Sequence, residues 1–301
     1  MAESAEDPYV GDASKVLPEI VNDGDWLRQP LPPLNKDFYL KHPDPIFQNE
    51  VFCWGNMEAA HPVLGARTQK EVDQYRQSHG IFVRAVRGRP APKPFQSFSE
   101  TSFPTFVEDL AKELFTEQAK PFPVQAQAWP CALAGADVIG VAPTGSGKTL
   151  AFLLPAFVHI MAQEPLQKGE GPIALILEPS RELVQQTLDV ATRFCGKMEE
   201  DERLRAGAVY GAVAVHTQVP SQDPPDFGCW PEVLVATPGR LLDLLARRRW
   251  MSAKRFSYVV LDEADQLLSM GTWLLQIQQI LKHIRPDRQL LLFSATWPSE
   301  V

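Results

Sequence analysis

The chain has 301 residues, 45% of them hydrophobic, with 27 prolines and a formal net charge of −8. At roughly 100–200 residues per domain, that length predicts one large domain with an extension, or two small ones. The acidic balance excludes a general electrostatic attraction to nucleic acid, so any such binding must come from a local basic surface.

Residues 1 to about 35 mix acids, prolines and isolated aromatics without a period and are expected to be mostly disordered. The start, Met1 to Asp7, is acidic and has the character of neither a signal nor a transit peptide. Thr68 followed by Glu71 is a capping box, which predicts a short helix over about 68–79 with Val72 and Tyr75 on one face. Ile81, Phe82 and Val83 are expected as a short strand. Pro90, Pro92 and Pro94 read as a rigid linker. Residues 1–94 are therefore read as a partly disordered N-terminal extension, and 95–301 as the globular domain.

Helical spacing recurs over 106–115 and over 125–133, the latter despite Pro130. Residues 138–141 are an apolar run expected as a buried strand, and a helix begins near Gly147. Further strands are expected at 173–177, 206–210, 233–236, 258–261 and 290–293. Helices alternate with them at 181–194, 239–247, 266–268 and 273–284. This alternation predicts an α/β fold, a mostly parallel doubly wound sheet with helices on both faces. Residues 219–231 are rich in proline and aspartate and read as a surface loop. Arg247, Arg248, Arg249 and Trp250 look like a nucleic-acid patch but are read as a solvated helix end, where cations are favourable. The four cysteines, Cys53, Cys131, Cys195 and Cys229, lack metal-ligand spacing and are expected as buried thiols in a reducing compartment. No apolar run approaches the ~20 residues of a membrane span.

Two stretches carry chemistry. The first is Ala142-Pro143-Thr144-Gly145-Ser146-Gly147-Lys148-Thr149, placed between a strand and a helix. Glycines let the backbone approach a ligand closely, and the helix N-terminus aims N–H groups and its positive dipole end at the loop. This is a phosphate cradle, with Lys148 for the outer phosphates and the Thr149 hydroxyl for Mg²⁺. The second is Asp262-Glu263-Ala264-Asp265, delivered at the carboxyl end of the strand over 258–261. Ligands bind at that end of open α/β sheets. Asp262 suits Mg²⁺, partly through water, and Glu263 suits orienting an attacking water.

The ordered set of motifs resembles the N-terminal RecA-like domain of DEAD-box RNA helicases. Residues 121–130 resemble the adenine-reading Q motif, with Gln125 as its glutamine. Residues 142–149 match motif I, 179–183 motif Ia, 237–240 motif Ib, 262–265 motif II and 294–296 motif III. Residues 35–39, 68–84, 285–289 and Trp297-Pro298 are similar to a branch of nuclear, splicing- and RNP-associated members. The resemblance implies ATP and Mg²⁺ as cofactors, with Phe103 stacked on adenine and Phe106 as second candidate. It implies that Pro179, Ser180, Arg181, Gly211, Thr237, Gly239 and Arg240 grip single-stranded or locally duplex RNA by its backbone. It implies that Asp265, Ser294 and Thr296 couple the two events. RNP proteins are the implied partners, and the nucleus or cytoplasm the implied location.

Some positions depart from that pattern. Phe122 stands where a hydroxyl residue is usual, and Ala212 replaces the second glycine of a Gly-Gly turn. A Cβ at Ala212 opposes φ > 0, so the turn is expected to be altered. The chain stops just after motif III, so the second RecA-like domain and its arginine fingers are expected to be absent, and the fragment alone nearly inactive. A diverged, non-catalytic RNA- or RNP-binding scaffold that keeps the fold is the alternative.

Overall fold

The computed structural model describes residues 34, 62–85, 90–101, 103, 107, 120–198, 204–220, 229–247, 251–269 and 271–298. They fall into two compact units, divided between Glu164 and Pro165. The expected features at residues 1–33 and 35–39 lie outside the described residues. So does most of the helix expected at 106–115, Phe106 included.

The first unit contains α1 (Pro62–Ala66), α2 (Gln69–Ser78), a 3₁₀ turn (Phe98–Glu100), α3 (Pro123–Leu133), β1 (Val138–Val141) and α4 (Lys148–Met161). The capping box forms as the sequence predicts. Thr68 Oγ1 accepts the Glu71 N–H at 3.3 Å, and the Glu71 carboxylate accepts the Thr68 N–H at 2.7 Å. Those hydrogen bonds hold the Glu71 carboxyl below its ordinary value. The expected strand at 81–83 does not form, and Phe82 is 97% exposed. Among the described residues that triplet has no paired strand to share its backbone hydrogen bonds.

The proline stretch after it is held by its carbonyls. Pro94 O accepts from Arg67 Nη1 at 2.7 Å. Pro92 O accepts from both Arg76 Nη2 at 3.0 Å and Gln127 Nε2 at 2.9 Å. Proline lacks an N–H but keeps a full-strength acceptor, so this run is docked by side-chain donors. Arg76 Nε also donates to Gln127 Oε1 at 2.9 Å, which ties α2 to α3.

The core of this unit is built around Trp129 of α3. Its ring meets Phe98 at 5.5 Å and Phe103 edge-on at 5.2 Å, and its indole N–H donates to Leu150 O of α4 at 3.1 Å. β1 is less enclosed than its composition predicts. Gly140 is buried, but Ile139 is 59% exposed and Val141 50%. Successive strand residues face opposite ways; the described residues cover the face of Gly140 and leave that of Ile139 and Val141 open.

The second unit contains β2 (Ala174–Leu177), α5 (Arg181–Cys195), β3 (Ala206–Val209), a 3₁₀ turn (Val215–Thr217), β4 (Val233–Ala236), α6 (Pro238–Arg247), β5 (Tyr258–Leu261), α7 (Ala264–Leu268), α8 (Thr272–His283) and β6 (Gln289–Ser294). Its strands run parallel in the order β6-β5-β2-β4-β3. Every residue of β2, β4 and β5 is buried, as expected for Val/Ile/Leu-rich strands covered on both faces. Leu175, Leu177, Leu234, Ala236, Val259 and Leu261 form a core with Leu241 and Leu245 of α6 and Ile277 and Ile280 of α8. Leu177 is level with both Ala236 and Leu261, and Ala236 with Val209, so the loops that follow these strands leave from one end of the sheet.

Residues 221–228 of the proline-rich segment lie outside the described residues, but its end is anchored. Arg205 donates to Cys229 O at 3.2 Å and Trp230 O at 2.7 Å and pairs with Glu232 at 2.9 Å. Residues 248–250 of the basic run also lie outside the described residues. Cys131, Cys195 and Cys229 are free thiols, and burial pushes Cys195 up to about 12. Among the described residues no helix is long and apolar enough to cross a membrane.

Candidate functional site

In the first unit, β1 leads into the glycine-rich loop and α4 starts at Lys148. Gly145 has φ +78° and Gly147 φ +82°, both in the left-handed region that disfavours side chains. The two glycines serve different needs. A Cβ on Gly145 meets nothing within 4 Å, whereas one on Gly147 lies 2.3 Å from Gln125 Nε2 and 2.9 Å from Phe122 Cδ2. Lys148 is buried, and its amine donates to Ala142 O at 3.1 Å, across the loop. The Ser146 hydroxyl is buried with no hydrogen-bond partner. Thr144 is exposed, and Thr149 is half-buried in the first turn of α4. An orphaned hydroxyl, a lysine amine and a helix N-terminus around one loop fit a phosphate group.

Gln125 is almost fully buried. Its Oε1 accepts the Phe122 N–H at 3.0 Å and its Nε2 donates to Gly147 O at 3.0 Å. Both ends of the amide therefore bind protein, on the residue the sequence assigns to an adenine edge. Phe103 is buried against Trp129, so its ring lies in the core. The aromatic ring beside the loop is Phe122, 42% exposed, which sequence reasoning treated only as a departure.

In the second unit, Asp262 is the first residue beyond β5. It is nearly buried, and its Oδ1 accepts the Glu263 N–H at 3.0 Å. Glu263 sits at φ +46°, ψ +50°, a left-handed conformation held at the start of α7. A non-glycine residue there carries strain of the kind found at functional sites. Among the described residues no three His, Cys, Asp or Glu side chains cluster as a metal cage.

Asp265 joins β5 to β6. Its N–H donates to Ser294 Oγ at 3.4 Å, and its carboxylate accepts from the Thr296 hydroxyl. Burial pushes its carboxyl up, but the hydrogen bonds from Thr296 and Ser294 together with backbone N–H groups outweigh it and hold the group below its ordinary value.

The remaining loops leave β2, β4 and β3. Pro179 is buried, and Ser180 caps α5 by accepting the Leu183 N–H at 3.3 Å. Arg181 pairs with Glu182 at 2.9 Å on the surface. The Thr237 hydroxyl is buried without a hydrogen-bond partner, and Gly239 lies in the first turn of α6. The turn after β3 corrects the expectation from Ala212. This residue does adopt φ +63°, so the turn through Gly211 survives the loss of the second glycine at a cost in strain. Arg240 Nη1 donates to Gln218 Oε1 at 2.6 Å and Nη2 to Val213 O at 2.9 Å. Gln218 was missed by sequence reasoning, because a lone glutamine in a loop has no pattern to mark it.

Along the sheet the two groups separate. The acids and Ser294 stand at the ends of β5 and β6, and Ser180, Gly211 and Thr237 follow β2, β3 and β4. A glycine-rich loop between a strand and a helix, and a parallel sheet with Asp-Glu-Ala-Asp at a strand end, are features of the RecA-like helicase fold class. The sequence profile of the DEAD/DEAH box helicase family matches residues 122–301, and the chain belongs to that family.

The chain is 43% identical over 277 residues to the ATP-dependent RNA helicase dbp2 of Aspergillus clavatus, covering 92% of this chain and 44% of that protein. It is 42% identical over 277 residues to the probable ATP-dependent RNA helicase ddx17 of Dictyostelium discoideum, covering 92% and 31%. It thus spans less than half the length of these curated relatives. The crystal structure of the RNA-helicase Prp28 from Chaetomium thermophilum bound to ADP matches with a TM-score of 0.64 and 32% identity, over 80% of this chain and 55% of that one.

Proposed function

We propose that this chain is the N-terminal, ATP-binding half of an ATP-dependent RNA helicase. Residues 95–301 are the first RecA-like domain and 1–94 an extension. The observation that carries this is the division of the sheet end: hydrolytic acids follow β5, and groups suited to a sugar-phosphate strand follow β2, β4 and β3. Family membership and the printed names of the relatives support the same reading.

Bound ATP would supply the phosphates, with Mg²⁺ to neutralise their charge. Ala142, Thr144, Gly145, Ser146 and Gly147 hold phosphate through backbone N–H groups and the Ser146 hydroxyl, while Lys148 adds positive charge. Thr149 is the loop residue, and Asp262 the strand-end residue, whose chemistry would suit Mg²⁺, the latter partly through water. Glu263 orients the attacking water. Gln125 would read adenine with the second lone pair of Oε1 and the second N–H of Nε2, the first of each being used on Phe122 and Gly147. Pro179, Ser180, Arg181, Gly211, Thr237, Gly239 and Arg240 position RNA by its backbone, without reading sequence. Asp265, Ser294 and Thr296 link the acid loop to the end of β6.

In a whole helicase of this family a second RecA-like domain would supply arginine fingers, which are worth roughly 10³–10⁵ in rate. RNP proteins in the nucleus or cytoplasm are the proposed setting. The decisive experiment is RNA-stimulated ATP hydrolysis by the whole protein. Lys148→Ala and Glu263→Gln are expected to abolish it, and equal turnover by all three proteins refutes the proposal. Competition of ATP with GTP checks the role of Gln125, and preferential GTP binding counts against it.

A further inference from the structure

The network around the turn after β3 assigns a residue that no motif includes. Gln218 follows the 3₁₀ turn Val215–Thr217, and its N–H donates to Val215 O at 2.9 Å. Its side-chain oxygen accepts from Arg240 Nη1 at 2.6 Å and from the Tyr210 N–H at 3.4 Å. An amide oxygen has two lone pairs, and both are used. The other arm of the Arg240 fork holds Val213 O at 2.9 Å. On the far side, Gln185 Nε2 of α5 donates to the Tyr210 hydroxyl at 3.1 Å. The segment 210–213 is thus held at both ends, and inside it lies Ala212 at φ +63°.

We infer that Gln218 is a positioning residue for RNA. It fixes the Tyr210–Val213 turn and the Arg240 guanidinium in the arrangement that meets the sugar-phosphate strand. This rests on the RNA-contacting role proposed above for Gly211 and Arg240. The physical need lies at Ala212. A turn with two glycines reaches left-handed φ without opposition, but Ala212 does so against its Cβ, so the conformation must be imposed from outside. Arg240 imposes it with two donors in a rigid fork, and Gln218 orients that fork. Arg240 acts first as a brace, since both of its terminal nitrogens donate to protein acceptors.

The test is binding of a short fluorescein-labelled oligouridylate to the 301-residue chain by anisotropy, over a series of salt concentrations. Gln218→Ala is expected to weaken binding about tenfold, the scale of one hydrogen bond to a charged group. The slope of affinity against salt stays unchanged, because roughly 0.7 of slope per phosphate is lost only when a phosphate ligand goes. Gln218→Glu keeps an acceptor oxygen for both the Arg240 Nη1–H and the Tyr210 N–H and is expected to bind within about twofold of wild type.

If Gln218 instead touched RNA through its amide N–H, the glutamate would repel phosphate and bind more weakly than the alanine. That order overturns the inference, as does wild-type affinity in Gln218→Ala. Should Gln218→Ala fail to fold by circular dichroism, Gln218→Glu decides alone, near-wild-type binding supporting the inference and tenfold loss overturning it. If the wild-type chain binds no oligouridylate, the RNA-contacting role itself falls, which is a separate result.

Discussion

Gln125 donates its side-chain amide to the Gly147 carbonyl at 3.0 Å and takes the Phe122 N–H on its oxygen at the same distance. One buried side chain thus joins the start of α3 to the residue that opens α4. The contact is possible because Gly147 has no Cβ, whose place lies 2.3 Å from the Gln125 nitrogen.

That geometry separates two glycines that look alike in sequence. Gly145→Ala meets only the left-handed φ penalty, roughly 1–2 kcal/mol less the gain from a stiffer unfolded chain. Gly147→Ala adds a steric overlap with Gln125 and Phe122, of about 1–3 kcal/mol for an overpacked site. Urea denaturation is expected to show Gly147→Ala as clearly the less stable variant. Equal losses would mean that Gln125 moves aside freely.

Ala212→Gly tests the strain after β3. The left-handed conformation costs an L-residue about 1–2 kcal/mol, and added freedom in the unfolded chain returns about 0.5–1 kcal/mol of that. A net stabilisation of about 0.5–1 kcal/mol is expected from urea midpoints. A loss would show that the φ +63° turn carries no strain.

Thr296→Val removes the hydroxyl that Asp265 accepts. The folded carboxyl lies below its ordinary value, so its contribution is present above about pH 4 and is lost as pH falls through the folded value. The variant is expected to be less stable than wild type at pH 7, with the gap narrowing toward pH 3. A gap independent of pH would mean that Thr296 serves something other than the carboxylate.

Arg76 holds Gln127 and Pro92 with its guanidinium. Arg76→Ala is expected to cost about 1–3 kcal/mol, from hydrogen bonds worth about 0.5–1.5 kcal/mol each. Arg76→Lys recovers less than half, because a point charge cannot replace a fork. Limited proteolysis is expected to cut both variants faster at residues 81–94 than the wild type. Unchanged cleavage would show that α2 and the proline run are held by other contacts.

Much of the fold was readable because it depends on neighbours in sequence. Apolar runs of four to six residues alternating with helical periods located β2 to β6 and α5 to α8 within a residue or two. The Thr68–Glu71 box marked the start of α2 for the same local reason. The readings that changed all depended on distant partners. Ile81 to Val83 has strand-forming residues but no strand to pair with, and β1 is apolar yet half-open. The proline run carries donors from Arg67, Arg76 and Gln127, which its own composition does not announce.

The sequence by itself determined which residue types stand where: a glycine-rich loop ending in Lys148 and Thr149, an acid pair at a strand end and small polar groups after the other strands. These are properties of residue type and short spacing, and they survive any arrangement of the rest. Only the tertiary structure decided how those groups are held. It turned Gln125 inward to Gly147, sent Phe103 into the core, left Phe122 beside the loop and set Gln218 against Arg240. Each of those outcomes is a hydrogen bond or contact between residues many positions apart, and no local pattern in a single chain encodes such a pairing.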